Sequence, residues 1–325
     1  MKIYKIGIIG CGGIVPKMAA TLEKMKGVER YAVASRNQEK AEAFANKWGF
    51  TKAYGSYEEL ASDPEVDLIY IATPHAMHYD NAHMCIEKGK PVLCEKAFTA
   101  NARQAEDLLA FAKEKGVFIT EAIWTRYMPL SLKIQELLKE GVIGTPYTLS
   151  ANLSYPISNK ERIIRPELAG GALLDIGVYT LNFAAMAFGS DIAETHSVCQ
   201  KTQTGVDAQE SITLFYKDGR MATLQSSIYA KSDRMGVISG DKGHLIVENI
   251  NCPESVRVVD ENYKTIAVYH APEQISGYEY QVYASIEAVE RGWLEAPYMP
   301  HAETLRIMKQ MDNLRKEWGV IYPCD

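Results

Sequence analysis

The sequence predicts an α/β protein in two parts. Residues 1–122 read as a doubly wound parallel sheet, and residues 123–325 as an α+β half whose large, mostly antiparallel sheet is open on one face. Three observations predict this. The 325 residues suit two domains of about 150 each. The first third alternates short apolar runs with amphipathic helix-like stretches. After about residue 123 that alternation gives way to a series of strand-like segments separated by turns.

The runs at 3–9 (IYKIGII), 31–34 (YAVA), 67–72 (DLIYIA), 91–94 (PVLC) and 117–120 (VFIT) are short, apolar and bounded by Gly, Pro or polar residues, which marks strands. Between them, QEKAEAFANKWG (38–49) and TANARQAEDLLAFAKEKG (99–116) place apolar residues at helical spacing and stop at glycine. Strands and helices alternating at this interval call for parallel strands joined by right-handed crossovers. In the second half a helix at 130–141 leads into strands at 145–155, 210–216, 221–230, 244–250, 255–260 and 265–270. Helices from about 277 and over 302–318 close the chain. Asp218-Gly219 between two strands is a two-residue hairpin signal. If helices cover one face only, the other meets water or a partner. The alternating Ile212, Leu214 and Tyr216 are read as that open face, which predicts a homodimer or higher homo-oligomer through the C-terminal sheet.

A net charge of −6 without any basic run argues against nucleic acid as a partner, because phosphate binding needs concentrated Lys and Arg. The cysteines at 11, 85, 94, 199, 252 and 324 form no CxxC pair and no small secreted framework, so reduced thiols are expected. The opening MKIYKIGIIGCGGI is broken by Lys5 and by glycines and is not read as a signal peptide. No segment reads as the ~18 apolar residues of a membrane span. The expectation is a soluble, cytoplasmic protein.

Gly10-Cys11-Gly12-Gly13-Ile14-Val15 follows the first strand and opens the first helix. Glycines there permit a tight turn and let backbone N–H groups approach a pyrophosphate, to which the helix N-terminus adds partial positive charge. This predicts a Rossmann domain holding a nicotinamide dinucleotide. Val15 stands where Gly or Ala is usual, a bulk expected to shift the helix from the sheet. Cys11 is expected to pack, although a helix start can activate a thiol. The second strand ends at Ala34-Ser35-Arg36-Asn37, and no acid lies between Tyr31 and Gln38 to hold a ribose 2′-hydroxyl. Ser35 and Arg36 suit a 2′-phosphate, so NADP is the expected cofactor and NAD the alternative. The same residues also read as a capping box of Ser35 with Gln38, with Arg36 in solvent.

Further stretches make the chain resemble the glucose-fructose oxidoreductase/inositol dehydrogenase family of two-domain dehydrogenases. They are Ala72-Thr73-Pro74-His75 with His78, Cys94-Glu95-Lys96 at a strand end, and Gly170-Gly171 running through Asp175 and Gly177 to Tyr179. The resemblance spans nearly the whole chain. Glu121 through Trp124 and Arg126, followed by Pro129, resembles the branch of dimeric dihydrodiol dehydrogenases and NADP-dependent xylose dehydrogenases.

The resemblance implies hydride transfer between NADP and a carbinol carbon of a sugar, polyol or cyclic diol. It implies Lys96, Tyr179 and Asp175 as catalytic residues. It implies cofactor contacts from Gly10, Gly12, Gly13, Ile14, Val15, Ser35, Arg36, Thr73, Pro74, His75, His78, Glu95, Lys96, Trp124 and Arg126. The chemistry is coherent. A phenol of pKa near ~10 needs a neighbouring cation to act as a base, and the Lys96 ammonium would supply one while steadying the substrate oxygen. Asp175 and Tyr179 are four apart and share a face if helical, so Asp175 would orient Lys96 or a substrate hydroxyl. The glycine pair at 170–171 reads as a loop pressed against a ligand.

Trp124 and Arg126 are expected to line the cleft between nicotinamide and substrate, or else to pack between domains. Two departures stand out: Ala97 replaces the usual Pro, leaving the Lys96–Ala97 bond open to cis or trans, and Arg165 replaces an acid or amide, while Arg162 fits the pattern. The histidines at 75, 78 and 83 form no closed ligand set, so no metal is expected. Two rivals remain. One is a cofactor-binding regulator without turnover, against which Lys96 and Tyr179 together speak. The other is an NAD-assisted glycosidase on the same fold.

Overall fold

In the computed structural model, which describes residues 2–325, six strands form one parallel sheet. They are β1 (Tyr4–Ile9), β2 (Val28–Ala34), β3 (Lys52–Tyr54), β4 (Leu68–Ile71), β5 (Val92–Glu95) and β6 (Ile119–Ala122), in the order β3-β2-β1-β4-β5-β6. Every residue of β4, β5 and β6 is buried, as parallel strands covered on both faces require. The helices α1 (Val15–Lys24), α2 (Gln38–Trp48), α3 (Tyr57–Ser62), α4 (His78–Glu87) and α5 (Ala102–Lys115) connect successive strands. The strand order reverses between β1 and β4, which opens a ligand crevice at their carboxyl ends. The predicted α/β doubly wound sheet is present. Its short edge strand β3 escaped the sequence because three residues, Lys52 exposed and Ala53 and Tyr54 half-exposed, carry no pattern.

The chain divides into two compact units. The first runs through Ile123 and takes in Ile275–Lys309; the second holds Trp124–Gln274 and Gln310–Asp325. The expected simple split at 122/123 therefore misplaces α9 (Glu279–Glu290) and the first half of α10 (His301–Trp318). Within the first unit the Tyr4 hydroxyl donates to Glu290 at 2.7 Å, and the His301 ring meets the Ile119 carbonyl oxygen at 2.8 Å. An amphipathic helix shows in sequence that one face is covered, but not by which sheet.

The second unit carries α6 (Pro129–Glu140), α7 (Glu161–Ile164), α8 (Val178–Phe188) and an eight-stranded sheet. Its strands are β7 (Pro146–Ser154), β8 (Ile192–Lys201), β9 (Asp207–Tyr216), β10 (Met221–Ser227), β11 (Gly236–Gly240), β12 (Gly243–Glu248), β13 (Ser255–Asp260) and β14 (Thr265–His270). The order is β14-β13-β12-β11-β7-β10-β9-β8, antiparallel except where β7 and β10 run parallel. The β9–β10 hairpin falls where Asp218-Gly219 signalled it, but its loop is three residues, Lys217–Gly219, with Gly219 at a φ of +89°, rather than the two-residue turn expected. Two strands were not legible. Nearly all of β8 is half-buried or exposed at the sheet edge, and β11 is five residues between glycines.

The face assignment needs correction. Ile212, Leu214 and Tyr216 are buried at 1%, 1% and 3% exposure, so they form the helix-covered face. The open face is the other one. Hydrogen-bonded register places Val268, Arg257, Ile246, Val237, Ser150, Thr223, Thr213 and His196 in one row across all eight strands. An alternating strand shows two faces, and its apolar one belongs to the core. A second correction concerns Pro166–Phe188, which by length and composition matches a membrane span, although none was read there. The fold buries 89% of its most apolar window as the core of the second unit.

Candidate active site

At the end of β1 the chain turns through Gly10, whose φ of +104° suits glycine alone. A Cβ there would lie 2.9 Å from the Ala72 carbonyl oxygen, so the missing side chain lets the turns after β1 and β4 touch. Gly12 and Gly13 are exposed and Ile14 is half-exposed. Nothing lies within 4 Å of where a Gly13 Cβ would stand. α1 begins with no side-chain cap and no acid in its first turn. An uncapped helix start beside open space fits a pyrophosphate. Val15 is wholly buried and packs α1 onto the sheet, which corrects its assignment as a cofactor contact. Burial pushes the Cys11 thiol up, which keeps it protonated and inert.

At the end of β2, Ser35 is buried and Arg36 exposed. The cap of α2 is Asn37, not Ser35. The Asn37 side chain accepts from the Lys40 amide at 2.8 Å, and the Ser35 hydroxyl accepts from the Asn37 amide at 3.4 Å. The charge of Arg36 reaches Tyr57 and opposes the rise that burial gives that phenol. Lys40, whose charge reaches Cys11, is a second cation here that the sequence reading missed.

After β4, Thr73 and Pro74 are half-exposed and His75 is buried. The Thr73 hydroxyl accepts from Asn81 at 3.1 Å. His78, expected to touch the cofactor, is instead fully buried. Its Nε2 lies 2.8 Å from the Thr73 carbonyl oxygen and its Nδ1 lies 2.9 Å from that of Ala97. It ties the turn after β4 to the turn after β5. Burial holds its pKa below the ordinary histidine value. Glu95, also assigned to the cofactor, is buried and accepts the Tyr70 hydroxyl. Lys96 is half-exposed at the carboxyl end of β5, and the Lys96–Ala97 bond is cis. Glu121 accepts the Phe98 amide at 3.1 Å and secures the same turn.

In the second unit a continuous helix carries Asp175 in a π-helical turn (Leu173–Gly177) and Tyr179 as the second residue of α8. The Trp124 indole N–H donates to the Tyr179 phenol oxygen at 3.1 Å, and both rings are buried. An N–H aimed at that oxygen stabilises negative charge on it. Asp175 is paired with Arg162 at 2.8 Å, a partner the sequence reading did not give it. Arg126 donates to Asn182 of α8 at 2.9 Å, and Arg165 pairs with Glu161 at 2.7 Å, so neither presents an idle cation. The glycine pair is pressed against protein rather than a ligand. A Cβ on Gly170 would lie 2.5 Å from the Ile163 carbonyl oxygen, and one on Gly171 would lie 2.2 Å from Asp207. Among the described residues no group of three or more His, Cys, Asp or Glu is placed to hold a metal.

A parallel sheet in this order, with a glycine turn and uncapped helix at its switch point, followed by an open-faced sheet, defines the two-domain dinucleotide-binding oxidoreductases. Residues 4–122 match the oxidoreductase family with an NAD-binding Rossmann fold, and residues 131–246 match the GFO/IDH/MocA C-terminal domain. The chain belongs to the GFO/IDH/MocA family. It is 35% identical over 330 residues to the trans-1,2-dihydrobenzene-1,2-diol dehydrogenase of Xenopus tropicalis, covering 98% of this chain and 99% of that protein. Among solved structures it is similar to a 3-ketoreductase from Actinomadura kijaniata in complex with NADP and TDP-benzene. That match has 25% identity and a TM-score of 0.86, over 96% of this chain and 97% of the other. The aldose-aldose oxidoreductase of Caulobacter crescentus, at 19% identity and a TM-score of 0.88 over 98% of both chains, shares the fold.

Proposed function

We propose that this protein is an NADP-dependent dehydrogenase that oxidises a carbinol of a cyclic diol, sugar or polyol. The observation that carries the reading is the buried Tyr179 phenol with the Trp124 indole N–H on its oxygen. NADP, when bound, supplies the hydride acceptor. Tyr179 takes the hydroxyl proton as the carbinol is oxidised, and Trp124 stabilises the charge on its oxygen. Lys96 donates to the substrate oxygen, and Asp175, held by Arg162, orients the substrate. Arg36, seconded by Lys40, takes the 2′-phosphate. Three facts support NADP: the exposed Arg36, the absence of an acid at the end of β2, and the NADP held by the A. kijaniata enzyme. The diol dehydrogenase likeness supports a vicinal diol.

The open face of the second sheet, with Val198 and Phe215 at 70% and 39% exposure and Ile266 at 58%, supports a homodimer formed there. Turnover is tested by following reduced-nicotinamide absorbance with NADP or NAD against trans-1,2-dihydrobenzene-1,2-diol, aldoses and inositols. Reduction of NADP that is lost by at least about 100-fold in Tyr179→Phe is expected, on the usual worth of a general base. Equal turnover in that variant rejects the reading.

A further inference from the structure

The helix that carries Asp175 and Tyr179 starts at Ala172, directly after Gly171, and its first turn rests on a carboxylate from another element. Asp207, the first residue of β9, is wholly buried, and its Oδ2 accepts the Leu173 amide at 2.5 Å. The neighbouring Ala172 amide also favours its charged form. The other oxygen, Oδ1, lies 2.2 Å from the place a Cβ on Gly171 would take, and Gly171 has a φ of +123°. The glycine pair and the acid are therefore one device. Backbone and carboxylate occupy the space a side chain would fill. The Tyr322 hydroxyl secures the same turn by donating to the Gly170 carbonyl oxygen at 2.6 Å.

We infer that Asp207 is a positioning residue for this site: its buried carboxylate holds the first turn of the helix and so sets where Asp175 and Tyr179 stand. The inference rests on the role given to Tyr179 above. Helix starts leave backbone N–H groups without intrahelical partners, and an anion there answers both the donors and the helix dipole.

The charge of this carboxylate is itself sensitive to acid. Burial pushes Asp207 up to about 6, against the pull of its amide hydrogen bonds and of Arg315. The groups facing it do not replace its charge. Burial pushes Glu210 on the same strand well above the usual carboxylate range, Cys199 on β8 is pushed up to about 12, and burial raises the Tyr322 phenol well above its ordinary value. Arg315 on α10 is charged but engages Asp312 at 2.7 Å and Asp325 at 2.9 Å. Below about pH 6 the helix start thus loses its anion, and a protonated acid accepts more weakly than a carboxylate.

The experiment compares full-length wild type, Asp207→Asn and Asp207→Ala by backbone hydrogen exchange at pH 5 and pH 8. It adds kinetics with NADP and trans-1,2-dihydrobenzene-1,2-diol between those limits. Asp207→Asn keeps an acceptor and removes the charge, so it serves if Asp207→Ala fails to fold. Exchange at residues 172–176, corrected for intrinsic rates, is expected to rise about tenfold in wild type between pH 8 and pH 5, and to lose that step in Asp207→Asn; the size follows from one charge-assisted bond. The acid limb of kcat near pH 6 should vanish in Asp207→Asn, with KM for NADP unchanged. Exchange at this segment that is insensitive both to pH and to the substitutions overturns the inference, whatever the kinetics show. Altered exchange together with full turnover in Tyr179→Phe rejects the role of Tyr179 and leaves the hold of Asp207 on the helix standing.

Discussion

Trp124 gives its indole N–H to the oxygen of Tyr179 across 3.1 Å, 55 residues apart in sequence, and both side chains are buried within the second unit. Substituting Trp124 with Phe keeps most of the ring and removes the donor. A hydrogen bond to a charged partner contributes about 1.5–3 kcal/mol, so kcat should fall by about 10- to 100-fold if the phenol oxygen carries charge in the transition state. KM for NADP should stay within about threefold. Steady-state kinetics check this. An unchanged kcat would show that the indole serves packing alone.

Arg36 makes the cofactor choice testable without knowledge of the physiological substrate. Replacing it with Gln removes the guanidinium from the end of β2. A lost charge-assisted contact with a 2′-phosphate should weaken NADP by about 10- to 100-fold and leave NAD nearly unaffected. Fluorescence titration with reduced cofactors measures both affinities. Equal losses for the two would place the 2′-phosphate elsewhere.

His78 predicts a pH effect on stability. Its ring is buried, and its pKa lies below the ordinary value of about 6.5. The unfolded chain therefore binds a proton before the native ring does. Stability from this group is complete above about pH 6.5 and declines as pH falls from there toward the lowered native value. Against His78→Leu, which also loses the ties to Thr73 and Ala97, wild type should be more stable by about 2–4 kcal/mol at pH 7.5. That margin should shrink at pH 5.5. Paired urea titrations at the two pH values decide it, and a constant margin would contradict the assignment.

The parallel sheet was legible because its strands are buried on both faces and read as unbroken apolar runs, from Ile6 to Ile9 and from Leu68 to Ile71. The glycine turn was legible because Gly10 answers a backbone need that no other residue meets. What escaped is what depends on the third dimension. Val15 and His78 lie inside motifs that suggest cofactor contact, yet packing turns both inward. Gly170 and Gly171 signal a close approach, but sequence does not say to what, and here it is Ile163 and Asp207. Asp207 itself sits 32 residues after Asp175, with nothing around it to mark a link.

Gly171 offers a severe test of that link. Alanine there must hold a φ of +123° and bring its Cβ within 2.2 Å of Asp207 Oδ1. Backbone strain alone costs of order 1–3 kcal/mol, and the steric clash adds to it. Gly171→Ala should lose more than about 3 kcal/mol of stability on these grounds. The double substitution with Asp207→Ala should recover part of that loss, because the space is then vacated. Chemical denaturation of the two singles and the double gives the coupling, and strict additivity would break the link.

The open sheet face gives the last prediction. Thr213 stands near one end of the eight-strand row, between Thr223 and His196, with the exposed Phe215 and Val198 on the neighbouring rows. In a homodimer about a twofold axis, a residue on this face meets its own copy or a close neighbour of it. Placing Arg at both Thr213 and Thr223 sets like charges in a desolvated interface, at a cost of several kcal/mol. The sheet interior is untouched, since neither side chain points to the helices. The variant should keep wild-type thermal stability as a monomer, or lose it in a concentration-dependent way if the dimer supports the fold. Sedimentation of wild type should show a dimer and the double variant a monomer. Wild type sedimenting as a monomer at micromolar concentration would mean that this face is simply wet.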